Sequence, residues 1–274
     1  MPEKELAELS ASIWADRNRI SFSGQTWSEW ADDFGEWLSA KLPLRKNRTS
    51  TPRFTLQKAK YRYARVKSAA RYCFEHFDRP HTVWLSLTAR SRKRDGWVNP
   101  AIHDAGFRSG AVKQALYRSR KKARIDDYAG VWLHAPRTEW YSHKHIALWV
   151  DGNVAEEDFH PVIKSHVRNH RYADKSHHQY GDAISIRSPN EYALATPAGS
   201  SQSNRGIDAE RGQTAGLTNE VGDNIPALGA NSDIRNCSEG VFMWATMLWA
   251  LDRKYWQPLG DFKQYADRKK ECYG

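Results

Sequence analysis

The chain has 274 residues, with 42 Lys and Arg against 32 Asp and Glu for a formal charge of +10; 40% of its residues are hydrophobic, and 12 Trp, 12 Tyr and 9 Phe supply enough aromatic bulk to exclude global disorder. Three scattered cysteines, Cys73, Cys237 and Cys272, exclude a disulfide framework and a four-cysteine zinc site, and they read as reduced thiols of a cytoplasmic protein. No apolar run approaches the roughly 20 residues needed to span a bilayer, and Met-Pro-Glu-Lys-Glu is not a signal segment, so no membrane partner is expected.

Residues 1–50 read as an acidic helical region rich in tryptophan (Trp14, Trp27, Trp30, Trp37), closed by a basic linker between Pro43 and Pro52. From Leu56, apolar or small residues fall at 56, 59, 63, 66, 70, 73 and 77, alternating steps of three and four, which predicts an amphipathic helix. His81–Ala89 alternates with period two and predicts a strand, with Val83, Leu85 and Leu87 on one face and Trp84, Ser86 and Thr88 on the other. Ser109 can cap a helix over 110–124, with Val112, Ala115, Leu116, Ser119 and Ala123 on its inner stripe. Tyr128–His134 and Tyr141–Asp151 predict the next two strands, separated by a turn at Pro136. A helix follows from about Ala155 to His170, and Ala183–Arg187 is a short fourth strand.

The order β-α-β-β-α-β within residues 51–198 predicts an α+β, ferredoxin-like or RRM-like palm. Its antiparallel sheet should carry helices on one face and leave an open face for a metal and DNA site, with helical additions at both ends. Residues 199–235 are rich in Gly, Ser and Asn and read as a loop or insertion, with a short helix within 217–228; residues 236–274 read as a C-terminal helix, its stripe at Val241, Trp244, Leu248 and Leu251, and a tail.

Charge is concentrated in two acid-free blocks. Residues 41–72 hold eleven Lys and Arg and residues 108–124 seven, so the two blocks carry +18 and the rest of the chain −8. Such blocks suit a polyanion whose condensed counterions are released on binding. Tyr61, Tyr63, Tyr72 and Tyr117, interleaved with the cations, suit stacking on unpaired bases. Lys58, Arg62 and Arg65, at helical spacing, are the expected phosphate contacts, with Arg120 and Lys121 as a second patch.

His143 and His145 are two apart on the third strand, so both imidazoles emerge on one face, beside Ser86 and Thr88 of the first strand if the palm forms. Two histidines on one face begin a divalent-metal site. Glu139 in the hairpin and His134 at the end of the second strand are the candidates for a third ligand, and Glu139 supplies the harder oxygen that Mg²⁺ or Mn²⁺ prefers. A tyrosine hydroxyl attacks phosphorus effectively only where charge is neutralised nearby. Tyr192, just beyond the fourth strand, is the expected nucleophile, with Tyr172 and Tyr180 as rivals.

At these residues the chain resembles the HUH endonucleases. Val83-Trp84-Leu85-Ser86-Leu87-Thr88-Ala89 is similar to their first motif, and Tyr141-Ser142-His143-Lys144-His145-Ile146-Ala147-Leu148-Trp149-Val150-Asp151-Gly152 to their metal-binding motif. The resemblance covers roughly 55–256 and is nearest to rolling-circle replication initiators (Rep proteins) of small haloarchaeal plasmids and archaeal viruses. It implies a metal-dependent nickase and strand transferase acting on single-stranded or origin DNA. The enzyme would be joined to the 5′ phosphate through a tyrosine, and the freed 3′ hydroxyl would be passed to the host replication machinery. The alternative is a non-catalytic DNA-binding or regulatory protein on the same fold. In the family the residue between the two histidines is usually hydrophobic; here it is Lys144, which alternation points to the covered face, from where it would have to snorkel.

Overall fold

The computed structural model describes residues 56–94, 96–98, 100–107, 110–136, 141–173, 175–188, 215–225, 244, 248 and 254–267. The expected helices of 1–40, the linker before Leu56, Glu139 and Tyr192 lie outside the described residues. The described chain runs α1 (Leu56–His76), β1 (Pro80–Leu87), a small hairpin β2 (Arg92–Lys93) and β3 (Gly96–Trp97), α2 (Pro100–Gly106), α3 (Gly110–Lys122), β4 (Tyr128–Pro136) and β5 (Ser142–Asp151). It continues through α4 (Glu156–Asn169), α5 (Tyr180–Ala183), β6 (Ile184–Arg187), α6 (Ala215–Asp223), β7 (Trp256–Gly260) and α7 (Phe262–Asp267).

The main sheet has the order β6-β1-β5-β4-β7, with all neighbours antiparallel. Its first four strands reproduce the split order that β-α-β-β-α-β connectivity demands, fourth-first-third-second, so the palm is present as expected. The fifth strand, β7, extends the sheet beyond β4. Pro258 is compatible with that place because an edge strand has one side with no ladder to donate to.

Period-two alternation divides the sheet into two faces. Val83, Leu85 and Leu87 of β1 and Ile146, Leu148 and Val150 of β5 pack under Val112, Ala115 and Leu116 of α3 and Phe159, Val162 and Ile163 of α4. Helix α4 begins with Glu156, Glu157 and Asp158, which complement its positive N-terminal end, and the Asp158 carboxylate accepts the Ala155 N–H at 3.0 Å. These are the two helices the sequence predicts, on the face it predicts.

The second face is not left bare. Ala59, Val66, Ala70 and Cys73 of α1, the stripe legible in the sequence, are fully buried against Ala129, Val131 and Leu133 of β4 and Ala147 and Trp149 of β5. Leu217 and Val221 of α6 and Phe262, Tyr265 and Ala266 of α7 complete this layer. Each large apolar side chain so buried contributes roughly 1.5–3 kcal/mol. The helix that leads into the palm and one in the stretch read as a tail therefore meet on the palm's second face, where α1 and α7 are tied by the Arg65–Asp267 ion pair at 2.9 Å. Gly260 turns the chain from β7 into α7 at φ +54, where a Cβ would lie 2.3 Å from the Tyr128 carbonyl oxygen. Of the expected C-terminal helix, Trp244 and Leu248 are described; both are helical and fully buried.

Candidate metal centre and nucleic-acid interface

The strand register puts Ser86 of β1 and Leu133 of β4 on either side of His145. Ser86 Oγ lies 3.1 Å from His145 Nδ1, and the His145 ring stacks on Trp84 at 4.3 Å. The His143 and His145 rings are 4.5 Å apart and nearly perpendicular. Asn224, just past α6, also hydrogen-bonds His145. Burial first, and then the neighbouring His143, hold His145 well below its ordinary pKa of 6.5 against the opposing effect of Asn224. The imidazole is therefore neutral at neutral pH, the form in which histidine ligates a metal.

The pair supplies two nitrogen donors. Among the described residues no three of His, Cys, Asp and Glu gather to hold a metal ion, and Glu139 is not described. His134 is corrected as a candidate ligand: it pairs in register with Lys144, so it faces the opposite side of the sheet, where its Nδ1 lies 3.3 Å from Asp104. Asn224 and Trp84 were not anticipated at the site. Asn224 sits in the Gly/Ser/Asn-rich stretch read as loop or insertion, and only the Leu217–Leu228 helix signal hinted that this stretch returns to the sheet.

Lys144 does not snorkel as expected. It is buried on the covered face, where its Nζ donates to the Phe107 carbonyl and lies 5.0 Å from the Trp132 ring centre. The counter-charge is Asp104. Burial pushes the Asp104 carboxyl up, but the hydrogen bond and charge of His134, the charge of Lys144 and the Ser142 hydroxyl outweigh this and hold it below 3.8. Trp244 Nε1 donates to Ser142 Oγ at 3.0 Å and Ser142 to Asp104 at 3.1 Å, so the C-terminal region closes the network.

The same face carries a clamp of histidines on the exit from β1. His166 Nε2 donates to the Thr88 carbonyl at 2.8 Å, His178 Nε2 accepts the Thr88 N–H at 3.1 Å, and His103 Nε2 contacts the Ala89 carbonyl at 3.3 Å. Burial lowers His166 to about 3 and His170 to about 4, helped by neighbouring His and Lys144 charges. Below pH 6.5 the unfolded chain takes up protons that these folded imidazoles refuse. Stability should therefore fall from pH 6.5 down towards 3, by up to about 1.4 kcal/mol per pH unit for each histidine. Above pH 6.5 both states are neutral there and these groups add no pH dependence. Urea midpoints between pH 7.5 and 4.5 should show this slope, and His166→Gln should reduce it by about one proton; an unchanged slope would locate the proton uptake elsewhere.

Of the candidate nucleophiles, Tyr172 packs against the core of the covered face, away from the histidine pair. Tyr180 opens α5, and Tyr192 is not described. The described parts of the two basic blocks, α1 and α3, lie on opposite sides of the sheet. Lys58 is in the first turn of α1. Arg62 lies over the Tyr255 ring at 4.3 Å, and Arg65 donates to Asp267 at 2.9 Å. Arg120 is corrected as a phosphate contact: it is buried, donates to the Ile125 carbonyl at 3.2 Å and lies 3.7 Å above the Tyr128 ring, so it locks the end of α3. Lys121 is exposed and 3.9 Å from Asp126, and with Lys113, Arg118 and Lys122 it forms a basic outer face of α3 around the exposed Tyr117.

No helix among the described residues is long and apolar enough to cross a membrane. The chain is 26% identical over 196 residues to an "Uncharacterized 36 kDa protein" of Halobacterium salinarum, covering 66% of this chain and 61% of that relative. It is 28% identical over 134 residues to a protein of the same description from Halobacterium sp. (strain GN101), covering 46% and 41%. The chain thus spans less than two thirds of the length of either relative, and no solved structure matches it. A family profile described as "Putative rep protein (DUF1424)" matches residues 41–264, spanning α1, the whole palm and β7, and the chain belongs to that family.

Proposed function

We propose that the chain is an HUH-type nickase and strand transferase that opens one strand of origin DNA to start rolling-circle replication of a plasmid or virus. The observation that carries this reading is the His143 and His145 pair on one face of the palm's central strand, with Ser86 against His145. Membership of a family described as putative rep proteins supports the replication context.

His143 and His145 would hold Mg²⁺ or Mn²⁺, with Glu139 as the expected oxygen ligand. Such a cation, when bound, polarises the scissile phosphate and offsets its charge. Ser86, bonded to His145 Nδ1, would hold the ring and leave its other nitrogen for the cation. Tyr192 would attack phosphorus, losing its hydroxyl proton and forming a tyrosyl 5′-phosphoester. The departing 3′ oxygen leaves as a hydroxyl, from which a host polymerase extends. The second reading, a DNA-binding protein without catalysis, is favoured by one observation: His145 is only 8% exposed.

The deciding experiment incubates the protein with Mn²⁺ and a single-stranded origin oligonucleotide and asks for a covalent adduct, mapped by peptide. DNA on Tyr192 is the expected result. Binding without any adduct favours the non-catalytic reading, and DNA on Tyr180 or Tyr172 reassigns the nucleophile.

A further inference from the structure

A cleft of about 200 Å³ lies between α1, β7 and α7, lined by Tyr61, Arg62, Arg65, Trp256, Phe262 and Lys263 together with Pro258. None of these residues belongs to the four-stranded palm; the cleft is made entirely by the elements added to it. Register fixes its position. His145 pairs with Leu133 and Leu133 with Trp256, so the histidine and this tryptophan lie in one row across the same face of the sheet. Two strand spacings separate them, roughly 10 Å.

The lining is three aromatic rings and three cations. Tyr61 is 51% exposed, unusual for a large ring. Arg65 donates to the Tyr61 hydroxyl at 3.3 Å and to Asp267, so it is a fixed wall; Lys263 is exposed on α7. The volume falls below the roughly 300–1,000 Å³ of clefts that take drug-sized ligands and suits one ring system. A base inside a duplex is already stacked on its neighbours and cannot enter.

We propose that this cleft is a base-binding subsite for single-stranded DNA, holding one unpaired base beside the strand segment that crosses His143 and His145. It rests on the reading that the chain acts on DNA and adds a place where a base flanking the nick is selected. Tyr61 and Trp256 supply stacking surfaces, and Lys263 and Arg62 neutralise the adjoining phosphates. Because the subsite lies only two strands from the histidines, the base it holds is within a few nucleotides of the one being cut.

The test uses the full chain, a fluorescent oligothymidylate, a duplex of equal length and an oligonucleotide carrying 2-aminopurine. Tyr61→Ala should weaken single-strand binding roughly 5- to 100-fold and abolish the quenching of 2-aminopurine emission, leaving duplex binding unchanged; Tyr61→Phe should retain both. Lys263→Ala should lower the slope of log affinity against log salt by about 0.7. Wild-type single-strand affinity in Tyr61→Ala, or quenching that survives it, overturns the subsite while leaving nicking to stand or fall on the adduct experiment. Loss of single-strand affinity in Tyr61→Ala from a protein that never forms an adduct upholds the subsite and removes nicking. A wild-type protein with no single-strand affinity removes both.

Discussion

His145→Ala is expected to abolish metal-dependent nicking, with a loss exceeding 100-fold. Groups that merely orient a metal ligand cost about 10- to 100-fold in metal affinity or activity when removed, and a ligand must cost more. Ser86→Ala provides the calibration: it removes the hydroxyl at His145 Nδ1 without touching the donor nitrogens and should fall within that 10- to 100-fold range. Because His145 is buried and stacked on Trp84, its removal also takes packing from the sheet, so circular dichroism and a urea midpoint must accompany the rate. His143 is more exposed, and His143→Ala should lose Mn²⁺ binding by calorimetry with less structural cost. Nicking at the wild-type rate by a folded His145→Ala protein would remove the pair from the chemistry.

Asp104→Ala should be the most damaging single change on the covered face, costing about 3–5 kcal/mol of the roughly 5–15 kcal/mol that holds a domain together. Asp104 is fully buried and supplies the negative charge for both Lys144 and His134. Its loss leaves a lysine charge in an interior built of Phe107 and Trp132 rings. Adding Lys144→Met to Asp104→Ala should restore part of the stability, since an apolar replacement of a buried pair is often neutral. Urea unfolding measures both. A loss below about 1 kcal/mol for Asp104→Ala would show that Lys144 does not depend on that carboxylate.

The palm was legible because its strands alternate cleanly. Val83, Leu85 and Leu87 in His81–Ala89 and Ile146, Leu148 and Val150 in Tyr141–Asp151 recur with period two, and the observed strands begin and end within two residues of those predicted. The stripe of α1 was equally legible, but an amphipathic helix declares that it must pack without saying on what, so the covering of the second face was not. β7 was missed because Trp-Gln-Pro-Leu-Gly carries a proline and a glycine in five residues and has almost no alternation to read. Shared orientation of His143 and His145 follows from the period of a strand; their company does not. Asn224 reaches His145 from 79 positions along the chain, through a stretch read as loop or insertion with only a short helix in it. Arg120 misled for a different reason: its place in a basic run conceals that it falls on the inner side of α3, beside Ser119.

The late arrival of β7 and α7 also bears on how the protein is made. Val131 and Leu133, on the second face of β4, wait for Pro258 and Trp256 more than 120 residues further on. The layer over the sheet is complete only once Phe262, Tyr265 and Ala266 have left the ribosome. Until then a nascent palm presents Trp149, Ala147 and the β4 side chains to water under partial cover from α1. Pairings this distant in sequence are slow to form, and an uncovered apolar sheet with a vacant edge is prone to self-association. Translation that stalls before residue 256 should therefore yield chains that depend on chaperones, and a palm cut out at residues 80–188 should aggregate.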